Sequence, residues 1–234
     1  MPQETRRRNN ADTVHLKKII ELDAELNRTK DLDILMERIL SEARKIVGAD
    51  AGSIYVIEND LLIIKYTQND TKQKELPPGQ KLIYSIFKLH INTKTISGYV
   101  AATGQVVNLP NVYTIAPSAP YSFDPTFDKI SRYKTKSMLT IPLRTLNGKI
   151  IGVIQMINAT NNSGRIVPFT KNDELLVMHF ANNAAMALER AQMTRTIILR
   201  MIRMAELRDP KETGAHVNRV AAYSVELYEA YARK

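Results

Sequence analysis

Apolar positions recur at helical spacing over residues 13–27, at Val14, Leu16, Ile19, Ile20, Leu22 and Leu26, and predict an amphipathic helix ending before residue 31. A second helix restarts at Asp31, which suits an N-cap. Leu35, Ile39, Leu40, Ala43, Ile46 and Val47 form its buried stripe, and Gly48 ends it. Residues 53–58 and 61–68 are rich in strand formers and are separated by Asn59-Asp60, a hairpin signal. Residues 73–80 read as a polar loop around Pro77-Pro78-Gly79. A short helix is expected over 95–103, closed by Gly104, and a strand over 105–109, stopped by Pro110. Residues 117–133 hold prolines and aromatics, and read as a long ordered loop with room for one helical turn. Loops of that length in compact domains commonly cover a site. A second hairpin is expected from 137–144 and 149–158, turning at Asn147-Gly148.

From Thr170 or Asn172 a helix runs to about Leu207, with Asp173 and Glu174 at the favoured end of its dipole. Phe180, Ala187, Thr194 and Met201 at one heptad position, with Ala184, Ala191, Ile198 and Ala205 at the other, predict a seam for a parallel homodimer along 180–205. The first half of that helix is also expected to pack on its own sheet. The order helix, helix, hairpin, loop, hairpin, helix gives an α+β fold, an antiparallel sheet flanked by helices with a long C-terminal helix.

Composition narrows the chemistry. There are no cysteines, so disulfides, thiolate metal sites, thioether-linked chromophores and cysteine nucleophiles are excluded. A haem held by histidine is not, with His90 the one candidate near the loops. His15, His90 and His179 lack partners at metal spacing. Lys and Arg number 33 against 24 Asp and Glu, a net charge of +9. The excess is spread along the chain apart from Arg6-Arg7-Arg8 in a polar start over 1–12, and no nucleic-acid motif accompanies it, so nucleic acid is not an expected partner. The longest apolar runs, 150–157 and 175–180, are too short for a bilayer, so no membrane association is expected. Without a signal-peptide pattern, the cytoplasm is the expected compartment.

Four local runs together resemble the GAF domain, the small-molecule-sensing module of signalling proteins. They are Asp50-Ala51-Gly52-Ser53-Ile54-Tyr55, then Ile96-Ser97-Gly98-Tyr99-Val100-Ala101-Ala102-Thr103-Gly104, then Ser137-Met138-Leu139-Thr140-Ile141-Pro142-Leu143, and Ile151-Gly152-Val153-Ile154-Gln155-Met156-Ile157-Asn158. The resemblance covers about 31–191. A finer resemblance is to the GAF domains of cyclic-nucleotide phosphodiesterases and cyclases, carried by Phe127-Asp128, Tyr133, Thr135 and Ser137, and by Asn158, Phe169, Asp173 and Glu174. That family's lysine after the asparagine is replaced by Ala159, and Arg132 replaces a usual glycine. In the family, the lysine pairs with the aspartate and supports the domain.

A nucleotide-like ligand needs an aromatic face, phosphate donors and amide or hydroxyl contacts. Ser97, Gly98 and Tyr99 at a helix start offer donors. Tyr121, Phe123, Phe127 and Tyr133 offer walls, or else pack the long loop onto the sheet. Asp124, Asp128, Asn108, Gln68 and Gln155 offer polar edges. A pocket is therefore expected beneath the 117–133 loop.

Near the C-terminus, Glu212 and His216 stand four apart and share one helical face, a spacing that suits a metal. Their surroundings, from Arg208-Asp209-Pro210 to Asn218-Arg219-Val220, resemble the first helix of HD-GYP cyclic di-GMP phosphodiesterases. The resemblance implies a divalent metal of iron or manganese type in a complete parent domain. Two ligands cannot hold a catalytic metal, so no cofactor and no catalytic residue are expected here, and the metal pair is expected to be empty. The expected organisation is a polar basic tail over 1–12, a helix over 13–30, a GAF sensory domain over 31–191, a linker helix over 192–207, and a truncated first HD-GYP helix over 208–234. The chain is then a ligand-binding regulator of a C-terminal output, with a purely structural dimerisation module as the alternative.

Overall fold

The computed structural model describes residues 31–77, 88–208 and 213–232, except for the side chains of 127, 205–208, 213–215, 217 and 232. The expected tail, the helix over 13–30, part of the Pro77-Pro78-Gly79 loop and Glu212 lie outside the described residues. Two compact units divide at Glu189 and Arg190.

In the first unit, α1 spans Leu32–Ile46. Asp31 caps it, its Oδ1 accepting from the amides of Asp33 at 2.9 Å and Ile34 at 3.1 Å. Met36, Ile39, Leu40 and Ala43 are its buried face. β1 (Ala49–Glu58) and β2 (Leu61–Asn69) form the first hairpin. Both turn residues are left-handed, Asn59 at φ 49° and Asp60 at φ 61°, which asparagine and aspartate tolerate best among non-glycine residues. The four-residue α2 (Asp70–Gln73) and the edge strand β3 (Lys88–His90) were not evident in the sequence. α3 spans Ile96–Thr103, with Thr95 as its cap rather than its first residue, and β4 is confined to Val107–Leu109. The long loop contains α4 (Thr126–Ser131).

β5 (Met138–Arg144) and β6 (Ile150–Thr160) form the second hairpin. Its turn is longer than a two-residue Asn-Gly turn. The amide of Gly148 donates to the carbonyl of Thr145 at 2.9 Å, and that of Thr145 to the carbonyl of Lys149 at 2.9 Å. Only Gly148 is left-handed, at φ 82°, so Leu146 and Asn147 make an ordinary turn and the glycine closes it. β7 (Ile166–Val167) adds to β6.

The strands pair antiparallel in the order β3-β2-β1-β6-β5-β4. One face carries Ile54, Val56, Leu139, Ile141, Ile154 and Met156, in a cluster with the α1 stripe and Val177, Phe180, Ala181 and Ala184 of α5 (Lys171–Arg208). Thr170 and Asp173 cap α5 reciprocally: the Thr170 amide donates to Asp173 Oδ2 at 2.7 Å, and the Asp173 amide to Thr170 Oγ1 at 3.2 Å. The opposite face of the sheet holds a second cluster with α3, including Tyr55, Leu62, Ile96, Val100, Met138 and Val153.

The expected heptad seam is split by this packing. Phe180 and Ala184 are 1% and 0% exposed, spent on the domain's own core, so only positions beyond Ala187 remain for a partner. In the second unit, Met193, Ile197, Ile198, Met201 and Met204 are exposed on distal α5. α6 (Thr213–Ala232) exposes Tyr223, Leu227, Tyr228 and Tyr231. Among the described residues, no helix is long and apolar enough to cross a membrane.

Candidate functional site

On the α3 face of the sheet lies a cavity of about 290 Å³. Its floor comes from strand alternation. Ala51, Ser53 and Tyr55 point from β1 to this face while Ile54 and Val56 point to the helices. Ile64 and Thr67 of β2, Met138 of β5, and Gln155 and Ile157 of β6 continue the floor, and Gln68 borders it with its side-chain amide turned toward α1. A bulge between Ile54 and Tyr55 in the β1–β2 register lets Tyr66 face α1 while Ile64 faces the cavity. Thr95, Ile96 and Ser97 bring in the start of α3, and residues from Ser122 to Thr135 form the lid.

A neutral polar network lies at the centre of the floor. Gln155 is buried, and its Nε2 lies 3.1 Å from Ser97 Oγ, 3.2 Å from Thr140 Oγ1 and 3.3 Å from Met138 Sδ. Tyr55 donates to Gln155 Oε1 at 3.3 Å. Burial pushes the Tyr55 phenol above its ordinary pKa, the bond with Ser97 opposing it, so it stays a neutral donor. Ser53 and Thr67 hydroxyls pair at 3.0 Å beside it.

The lid is fastened at two points. Asp128 is buried and accepts from the Thr135 amide at 2.7 Å, the Thr135 hydroxyl at 2.8 Å and the Tyr113 hydroxyl at 2.8 Å. Tyr133 donates to Asp50 Oδ2 at 2.7 Å and accepts from Asn158 Nδ2 at 3.0 Å. Burial and then Asp50 hold the Tyr133 phenol well above its usual range. Asn158, left-handed at φ 56°, also donates to the Lys134 carbonyl at 2.9 Å and accepts from the Lys136 amide at 2.7 Å. Asp124 accepts from the Thr126 amide at 2.9 Å, and hydrogen bonds from Thr126 lower its pKa.

Of the residues the sequence nominated, Gln68, Ser97, Phe123, Asp124, Asp128, Tyr133 and Gln155 line this cavity. Asn108 does not. Its amide ties β4 to the start of α5, donating to the Phe169 carbonyl at 3.1 Å and to Glu174 at 2.8 Å. Burial raises the Glu174 pKa, but the bonds from Asn108 and Lys171 outweigh it and leave it lowered. Gly98 lies beneath the surface, where a Cβ would collide with the Asn92 carbonyl and the Thr95 hydroxyl. Tyr99 bonds Gln105 at 2.7 Å and packs its ring 4.9 Å from Tyr121. Tyr121 lines a separate outer depression with Tyr113, Pro117 and Pro120, which shares Ser122 and Phe123 with the cavity. Phe127 lies in α4, its side chain outside the described residues. Tyr55, Ser53 and Thr67 were not nominated, although the small and polar alternation Ala51, Ser53, Tyr55 was the available signal.

No group of three potential metal-ligating side chains occurs among the described residues. His90 is exposed on β3 and does not line the cavity, and His216 is exposed on α6.

The GAF domain family matches residues 31–188. The chain is similar to the dual 3′,5′-cyclic-AMP and -GMP phosphodiesterase 11A of Takifugu rubripes, 30% identical over 181 residues, 74% of this chain and 18% of that protein. It is also similar to the dual phosphodiesterase 11 of Drosophila melanogaster, 33% identical over 143 residues, 61% of this chain and 9% of that protein. The chain thus spans less than a fifth of either relative. The GAF domain of a phosphoenolpyruvate-protein phosphotransferase from Coxiella burnetii superposes with a TM-score of 0.59 at 16% identity, covering 77% of this chain and 96% of that one. Its counterpart from Acinetobacter gives 0.57 at 15% identity, covering 78% and 98%.

Proposed function

The chain belongs to the GAF domain family, and on that premise we propose that it is a sensory, non-catalytic module that binds a small nucleotide-like ligand in the cavity under the 117–133 loop. The observation that carries this reading is the cavity itself. It is close to the lower end of the size range of small-molecule sites, mostly apolar, with a few convergent polar groups. Cyclic-nucleotide phosphodiesterases among the relatives favour a nucleotide-like ligand. Tyr55, Ser97 and Gln155 are the groups we assign to the ligand's polar edge, and Phe123 to its ring face.

The signal leaves along α5. A ligand shifts the balance between two states only by its differential affinity for them. We assign the output to an HD-GYP-type domain, on the Glu212–His216 spacing and the exposed apolar side chains of α6. A divalent metal of iron or manganese type would belong to that complete domain. Distal α5 is the proposed homodimer contact, and the cytoplasm the proposed compartment. One observation favours a purely structural module instead: Gln68, Asp128 and Tyr133 all spend their polar atoms inside the protein.

The test is a thermal-shift screen with cyclic AMP, cyclic GMP, cyclic di-GMP, purines and haem. A ligand at about a hundred times its Kd adds about 2.7 kcal/mol, which is readily seen. A shift with one cyclic nucleotide supports the sensor. No shift with any compound transfers the assignment to the structural module.

A further inference from the structure

Arg44 is a charged residue on the core-facing side of α1, and it is 5% exposed. Room for its stem exists because residue 52 of β1 is glycine. A Cβ there would lie 3.1 Å from both Cγ and Cδ of Arg44, tighter than ordinary packing accepts. The guanidinium then reaches three elements at once. Nη1 donates to Gln68 Oε1 at 3.0 Å, and Nη2 to the Asp50 carbonyl at 2.7 Å and to Asp70 Oδ1 at 2.6 Å. Nε is buried with no partner among the described residues.

Of the groups that Arg44 holds, Gln68 lines the cavity itself, while Asp50 and Asp70 adjoin residues that do. Gln68 lines the cavity, and its Nε2 returns to α1 at the Glu37 carbonyl, 2.9 Å, and the Glu37 carboxylate, 2.7 Å. Asn69 lines it too, and caps α2, which carries Asp70, by accepting from the Lys72 amide at 2.9 Å. Tyr133 on the lid bonds the carboxylate of Asp50, and that carboxylate also accepts from Thr71 at 2.9 Å. A guanidinium is planar with its donors in a fixed fork, so it cannot follow one acceptor without straining its hold on the others. Movement of the floor at Gln68 and movement of the lid at Tyr133 therefore meet at one rigid group rooted in α1.

We propose that Arg44 is a positioning residue that couples the cavity floor at Gln68 to the lid at Tyr133 and transmits the state of both to α1. The proposal rests on reading the cavity as the ligand site, but the coupling itself can be measured without a ligand.

The experiment is a double-mutant cycle of Gln68→Leu and Tyr133→Phe, read by urea unfolding, repeated in an Arg44→Met background. Groups in one network depart from additivity, whereas independent groups do not. In the wild-type background, the unfolding constant of the double mutant should differ by about threefold or more from the product of the single effects. In the Arg44→Met background it should return to that product. Additivity within a factor of about two in the wild-type background overturns the proposal. So does coupling that survives the loss of the guanidinium, because the two residues then communicate by another route. If Arg44→Met does not fold, Arg44→Lys serves, since an ammonium cannot reproduce the fork. Hydrogen exchange adds a readout that general destabilisation would not give: Arg44→Met should raise exchange at the lid amide of Thr135 and along α1, but not in the β5–β6 hairpin. Thermal shifts of the same proteins with cyclic AMP and cyclic GMP report separately on the ligand reading. Absence of a shift counts against that reading and leaves the cycle to decide the coupling.

Discussion

Replacing Asp128 should loosen the lid by an amount that the three donors around it define. In Asp128→Ala the amide of Thr135, a residue 3% exposed, loses its acceptor, and the hydroxyls of Thr135 and Tyr113 lose theirs. A hydrogen bond to a charged acceptor is worth about 1.5–3 kcal/mol, and an abandoned buried donor costs about 1–3 kcal/mol. Three such bonds do not add. The carboxylate's own desolvation is relieved when it is removed, and the two hydroxyls can turn elsewhere. The net loss comes to about 3 kcal/mol, a factor of about 150 in the unfolding equilibrium, or about 6–12 °C in Tm for a domain of this size. Asp128→Asn keeps one oxygen for the Thr135 amide, and its NH₂ can donate to a hydroxyl, so about 1 kcal/mol is expected. Tyr113→Phe removes one part-buried bond and leaves the Thr135 amide satisfied, so it should cost least. Urea denaturation at neutral pH measures the series. A loss below about 1 kcal/mol for Asp128→Ala, or an asparagine variant as damaged as the alanine one, would refute the argument that satisfaction of the Thr135 amide dominates.

Tyr133 gives a signature at alkaline pH. Its pKa is raised in the fold, so its contribution is fully present below the unfolded value of about 10 and is lost as pH rises toward the folded value. Urea unfolding from pH 8 to 11 should show Tyr133→Phe losing less stability than the wild type over that interval; equal slopes would remove Tyr133 as the cause. For the helix that leaves the domain, Met201→Lys at an exposed apolar position should shift sedimentation from dimer to monomer while leaving the Tm of the GAF domain unchanged. A monomeric wild type would discard the dimer proposal.

Periodicity made one class of residue legible and left another unreadable. The α1 stripe, the strand alternation and the glycine that ends α1 follow from which side of an element is dry, and a single sequence carries that information. β3 and α2 escaped because three or four residues are too few to show a period. The polar residues escaped for a different reason. Composition shows that Asp128, Asn108 and Tyr133 can accept or donate, but not which neighbour uses that capacity. Each of them is bonded to a protein group at least seven positions away in sequence. A residue nominated for a ligand because it is polar and lies in a loop has the same local appearance as one that holds the loop down. Arg44 is the extreme case. The stripe read from the sequence passes through Ala43, Ile46 and Val47 and leaves Arg44 out of it. A Cβ at residue 52, on another element, would press to 3.1 Å against the Arg44 stem, so the fit of the buried side chain depends on a residue that the α1 pattern does not contain. What distinguishes lid fasteners from ligand readers is whether their lone pairs and protons are already spoken for. By that measure the floor, whose hydroxyls and amide also bond one another, is set apart only by being neutral, so that its groups can exchange partners for the proposed ligand as the lid carboxylates cannot.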